Sequence, residues 1–144
     1  MSGLEILGAV AAAVQLAASA VGTFRFINSE YGKYHEAEEE LRELGASVDS
    51  VYADLWDVKV KMEKYYVQDA FDREPHWATA CVSGLDSATR LLKKINTALD
   101  DTHRRSAWKK PFDRWKNADT IRDLARRLDQ SRPNVRGLKE SPPL

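Results

Sequence analysis

The sequence predicts an all-α fold, an antiparallel four-helix bundle with a long second helix. Three observations predict it. Apolar residues recur in alternating steps of three and four through most of the chain, the spacing that lines one face of a helix. No stretch of useful length alternates apolar and polar residues or carries a hairpin signal. Breakers at Gly32, Pro75, Pro111 and Pro133 divide the periodic pattern into four segments.

The first segment, Ile6 to Phe24, lies between Glu5 and Arg25 and contains no charged residue. At ~1.5 Å per residue a helix of this length nearly spans the ~30 Å hydrocarbon layer of a bilayer, and it is equally suited to the centre of a soluble bundle. It carries two stripes. Leu7, Val10, Val14, Ala17, Val21 and Phe24 form an aliphatic face to bury against partner helices. Gly8, Ala12, Gln15, Ser19 and Gly22 form a small, weakly polar face that would let another backbone come close. Burial of both faces in the resting bundle is the favoured expectation, with membrane insertion as a second state. Ala18-Ser19-Ala20 resembles a signal-peptide cleavage site, but the preceding residues include Glu5 and no Lys or Arg, which argues against a secretory leader.

The second segment is the most regular. Ala37, Leu41, Leu44, Val48, Val51, Leu55, Val58, Met62 and Tyr65 predict a helix from about Tyr34 to Tyr66, the longest of the four. Glu36 to Glu40 lie near its positive end and Lys61 and Lys64 near its negative end, as the helix dipole prefers. Gly45 is its one weak residue. Val67 to Glu74 reads as a connector. Pro75 then opens a third helix to about Asp100, carried by Cys81, Leu85, Ala88, Leu92, Ile95 and Leu99, with Trp77 extending its apolar face.

From Asp101 to Lys116 the character changes. His103, Arg104, Arg105, Lys109, Lys110, Arg114 and Lys116 are interleaved with Trp108, Phe112 and Trp115. The fourth helix, on Ile121, Leu124, Ala125 and Leu128, starts either at Pro111 or after Asn117 as N-cap, and Pro133 and Gly137 are expected to end it. The domain expected is 1–131, with 132–144 as a tail or linker stump.

Composition narrows the function classes. The 144 residues, 43% hydrophobic, suffice for one domain with a real core. Lys plus Arg and Asp plus Glu both number 22, so no overall charge points to nucleic acid, yet Glu30 to Glu43 is acidic and the chain after His103 is basic. One cysteine excludes an internal disulfide and favours a reducing, intracellular setting. The three histidines are scattered, the glycines form no phosphate loop, and the carboxylates from Glu36 to Glu43 fan around a helix start, so neither a cofactor nor a metal is expected. Cys81 occupies a core position, where cysteine acts as a small hydrophobe rather than a nucleophile. No enzyme is expected. The basic and aromatic connector remains: Arg104, Arg105, Trp108, Lys109, Lys110 and Trp115 could meet an anionic lipid surface or a partner, or less favourably nucleic acid. The plainer reading packs Trp108, Phe112 and Trp115 on the bundle while their charged neighbours reach water.

The opening SGLEILGAVAAAVQLAASAVGTF, the acidic-to-amphipathic second helix, and Trp108-Lys109-Lys110 followed by the aspartate-led Asp119-Thr-Ile-Arg-Asp-Leu together resemble the N-terminal helical domains of fungal NLR-type (STAND, NACHT-containing) proteins, the HeLo-like and SesA-like group. The likeness runs to about Ser131. It implies a regulated cell-death or incompatibility domain whose N-terminal helix is held on the bundle until a trigger releases it into the plasma membrane. Carried over, the executing residues lie in Leu4 to Phe24, with Leu4, Ile6, Leu7, Gly8, Val10, Val14, Gln15, Ser19, Val21, Gly22 and Phe24 as the insertion surface. The partners implied are further copies of the chain, a NACHT or NB-ARC-type receptor module in cis or trans, and anionic membrane lipids. The location implied is cytoplasmic, moving to the plasma membrane on activation. The alternative is an adaptor bundle that recruits a like domain through helix contacts and never enters lipid.

Overall fold

The structure, a computed structural model, describes residues 3–67, 73 and 75–140. Four helices pack as a bundle: α1 (Gly3–Tyr31), α2 (Glu39–Val67), α3 (Pro75–Arg104) and α4 (Ala118–Glu140). α1 packs beside α2 and α3, and α4 completes the square beside the same two, which places α2 diagonal to α3. Consecutive helices run in opposite directions. Phe24 of α1 lies against Gly45 of α2 and Tyr31 bonds Glu38 just before it, whereas Asn96 and His103 of α3 meet Leu16 and Phe26 of α1 in the same order along both chains.

The apolar periodicity becomes the core. Leu41, Val48, Val51, Leu55, Val58 and Met62 of α2 are buried against Cys81, Leu85, Ala88, Leu92, Ile95 and Leu99 of α3, Ile121, Leu124 and Leu128 of α4, and the aliphatic ridge of α1. Burial of this kind contributes ~25 cal/mol per Å² of apolar surface, and it is what holds helices whose own propensity is marginal.

Several boundaries differ from expectation, each for a local reason. α2 begins at Glu39 rather than Tyr34, because the chain turns at Gly32 to Tyr34 through backbone bonds back to Asn28, Glu30 and Tyr31; Ala37 is exposed and outside the helix. At 29 residues α2 equals α1 and is one shorter than α3, so it is long but not the longest. α3 runs four residues past Asp100, ending with His103 and Arg104 at its negative pole. The choice at the start of α4 falls on Asn117, whose carbonyl accepts the first helical bond from Ile121 at 2.9 Å, while Pro111 only precedes a single 3₁₀ turn.

The largest correction is at the other end of α4. The helix passes through Pro133 and Gly137 to Glu140. Interior proline costs about 3 kcal/mol relative to alanine, but the chain beyond it has much to bury. Val135 and Leu138 continue the apolar face, Leu138 lies 3.7 Å from where a side chain on Gly84 would begin, and Asp54 of α2 gathers Arg132, Arg136 and Lys139 at 3.1–3.4 Å. Residues 132–140 are therefore helix packed on the bundle rather than the start of a tail. The connector 68–72, the side chain of Trp77 and residues 141–144 lie outside the described residues.

Between α3 and α4 the chain makes two 3₁₀ turns, Ala107–Lys109 and Phe112–Arg114. Ser106 enters the first with φ 49°, a left-handed conformation that lets α3 stop abruptly and folds Trp108 back onto the bundle.

Candidate functional site

α1 presents two unlike faces. Ile6, Val10, Ala13, Val14, Ala17, Ala20, Val21, Phe24, Ile27 and Tyr31 are buried, so the expected aliphatic stripe is the core-facing ridge, with Leu7 half-buried at its edge. The small stripe is not buried. Gly8, Ala12, Gln15, Ser19 and Gly22 all face solvent, together with Ala18 and with Leu4, which is 66% exposed. The expectation that both faces are buried is corrected: a bundle of four helices in a square covers only the side of each helix that faces its neighbours. The same geometry divides the residues assigned to insertion. Ile6, Val10, Val14, Val21 and Phe24 are inside, while Leu4, Gly8, Gln15, Ser19 and Gly22 are outside.

The outer face of α1 is unlike the other outer faces. Exposed positions of α2 include Glu39, Glu40, Arg42, Glu43, Asp57, Glu63 and Lys64; those of α3 and α4 carry Asp86, Arg90, Lys93, Lys94, Arg126, Arg127 and Asp129. Between Glu5 and Arg25, α1 offers water no charge at all. Gly8 and Gly22 have nothing within 4 Å of the place a Cβ would take, so packing within the bundle gives no reason for either glycine. Both cost helix stability relative to alanine. On adjacent α2, Trp56 and Val60 are also exposed, at 47% and 54%. Among the described helices α1 alone is long and apolar enough to cross a bilayer, a test that the core helix of a soluble protein also passes.

Polar ties hold α1 at few points. Arg25 pairs with Asp49 at 3.3 Å on the surface, Asn96 Nδ2 donates to the Leu16 carbonyl at 3.0 Å, and the Tyr31 hydroxyl donates to Glu38 and accepts from the Phe112 N–H, both at 3.3 Å.

The basic connector follows the plainer reading. Trp108 and Trp115 are 9% and 5% exposed and Phe112 is buried. Trp108 meets Phe26 edge-on at 5.7 Å between centroids and His103 at 5.5 Å; Trp115 packs on Phe112 and Tyr31, and its Nε1–H donates to the Lys110 carbonyl at 2.9 Å. The two tryptophans are therefore core residues, which corrects their assignment to a lipid or partner surface: the left-handed Ser106 and the two 3₁₀ turns that follow it fold all three rings against the bundle. Arg104, Arg105, Lys109 and Lys110 remain exposed, and Arg104 and Arg105 both reach back to Asp101. The Asn117 amide and then Arg105 hold the Asp101 carboxyl below its ordinary range.

Two clusters escaped the sequence reading. Arg122 binds Glu40, Asp113 and Asp119 while its guanidinium lies 4.7 Å from the Phe112 ring centre, joining the starts of α2 and α4. Asp54 sits within the core spacing between Val51 and Leu55, where its burial was the only available signal and is not visible in one dimension. Cys81 is buried, and burial pushes its thiol up to about 12 against the weaker opposing influence of Lys61, so it is neutral at physiological pH. No group of His, Cys, Asp and Glu able to hold a metal occurs among the described residues. Comparison with protein-family models, curated proteins and solved structures found no match to this chain.

Proposed function

We propose that the chain is a non-enzymatic signalling domain of the incompatibility or innate-immunity kind, which self-associates and perturbs membranes through α1. One observation carries this reading: the outer half of α1 faces water without a charge for the whole run from Ile6 to Phe24. A helix that is apolar all round belongs inside a large core or in a membrane. The bundle covers half of it, and a lipid leaflet or a second copy would cover the rest. The motif resemblance to fungal NLR N-terminal domains supplies the biological setting, with a receptor module in cis or trans as the source of the trigger. That trigger must supply only the difference between burial in the bundle and burial in lipid or an oligomer, a few kcal/mol.

Ala12→Glu tests the reading without disturbing the core, because Ala12 is exposed in the bundle. A charged residue at the centre of a membrane helix costs about 2.5–3.5 kcal/mol, on the order of a hundredfold in insertion. Dye release from vesicles and killing of host cells are expected to fall by that order while the thermal midpoint of the resting protein is unchanged. Full activity of Ala12→Glu, together with full killing by a variant lacking residues 1–25, would sink the proposal. The adaptor reading is favoured by Gly8 and Gly22, whose empty surroundings suit a second backbone. An adaptor neither floats with liposomes nor makes them leak.

A further inference from the structure

We infer that the groove between the end of α3 and the start of α4 binds a compact anion carrying two or more phosphate groups. The groove has a volume of about 570 Å³, the size of a small-molecule site. Lys93, Lys94, Arg104 and Lys116 line it, contributed by one turn of α3, its last turn and the approach to α4. The floor is Ala98 and Leu124, with the hydroxyl residues Thr97 and Thr120 beside them.

Charge decides the class of ligand. Asp101 is the one carboxylate in the lining, and it is occupied by Arg104, Arg105 and the Asn117 amide, the last at 2.8 Å. Among the described residues no carboxylate lies within ion-pair distance of the Lys93, Lys94 or Lys116 ammonium, whereas elsewhere on α3 and α4 Arg90, Arg126 and Arg127 are paired within their own helices. The lining therefore carries four cations, Lys93, Lys94, Arg104 and Lys116, against the one carboxylate of Asp101, on which Lys116 also acts through space, and the surplus of positive charge around one groove favours an anion. A monovalent anion would leave most of that charge unanswered; adjoining phosphates meet it with several charge-assisted bonds. The groove lies on α3 and α4 and the inference does not depend on the reading of α1.

The test titrates the full chain with tripolyphosphate by calorimetry at physiological salt. In parallel, it measures flotation on vesicles carrying a bisphosphorylated inositol lipid and on phosphatidylserine vesicles of equal charge. The double variant Lys94→Gln, Lys116→Gln is compared with Lys33→Gln, Lys64→Gln, which removes the same charge elsewhere. Saturable 1:1 binding is expected, with amide shifts at Thr97, Asn117 and Thr120, weakened roughly tenfold or more in the groove variant and less than twofold in the control. Binding to tripolyphosphate identifies a soluble ligand, and preference for the inositol lipid over phosphatidylserine without it identifies a headgroup; either supports the site. Absence of both, or equal loss in the two double variants, overturns it.

Discussion

Trp108 is a residue at which an interfacial anchor and a core side chain make opposite predictions. An anchor waiting for lipid contributes nothing to the resting fold, whereas Trp108 is packed on Phe26 and His103. Trp108→Ala is therefore expected to destabilise the protein by about 3 kcal/mol, as removal of a buried aromatic does. Equilibrium urea unfolding checks it, and a loss under about 1 kcal/mol would return the ring to the surface. The composition around Trp108, Phe112 and Trp115 already held this outcome, since three large rings have more apolar surface to bury than their charged neighbours do, although the two 3₁₀ turns that seat them, joined through extended Lys110, left no periodic mark. Asp54 is the contrary case. A carboxylate between two core residues looks like a solvated position, and its burial at 6% exposure follows only from where α4 lies. Single residues were legible when their neighbours in sequence fixed their facing, and illegible when a distant helix did.

At the scale of elements, the long apolar spacings of α2 and α3 carried through to the core almost residue for residue, because a face repeated over six or more turns leaves one way to pack. Ends were harder. Propensity alone stops α4 at Pro133, yet the contacts of Val135, Leu138, Arg132, Arg136 and Lys139 extend it to Glu140 against that local cost. The missing N–H of Pro133 leaves the Asp129 carbonyl without its helical donor, and both residues lie on the exposed side of α4, which limits the cost. Gly137 has open space within 4 Å of the place a Cβ would take and adopts no positive φ. Pro133→Ala is expected to stabilise the protein by about 2 kcal/mol and Gly137→Ala by about 0.5–1 kcal/mol. Denaturant midpoints measure both. No gain from either would mean that the last two turns of α4 are not seated on α2 and α3 in solution. The two faces of α1 were legible as stripes, but which of them meets water depended on the square arrangement of the helices.

The whole molecule is held together unevenly. α4 is joined to α2 by ions, through Arg122 with Glu40 at one end and Asp54 with Arg132, Arg136 and Lys139 at the other, where Lys61 also donates to the Lys139 carbonyl. α1 is joined to its neighbours by apolar contact and few polar bonds, so acid should act on the two seams differently. Burial raises the Asp54 carboxyl, but the hydrogen bond and charge of Lys139, followed by those of Arg132, outweigh it and hold the group below its ordinary value. A carboxyl depressed in the folded state binds fewer protons there than in the unfolded chain. Its contribution is then complete above the unfolded value of about 4, and it is lost as pH falls through the lower folded value. Stability is expected to decline as pH drops below about 4, with Asp54→Asn costing about 1–3 kcal/mol at pH 7 and progressively less as the Asp54 carboxyl takes up its proton. Hydrogen exchange locates the weakness: on acidification the amides of residues 134–139 should lose protection before those of Val10 to Phe24 in α1. If α1 opened first, the ionic seam would not be the acid-sensitive one, and acidification would release the apolar helix while leaving α4 in place.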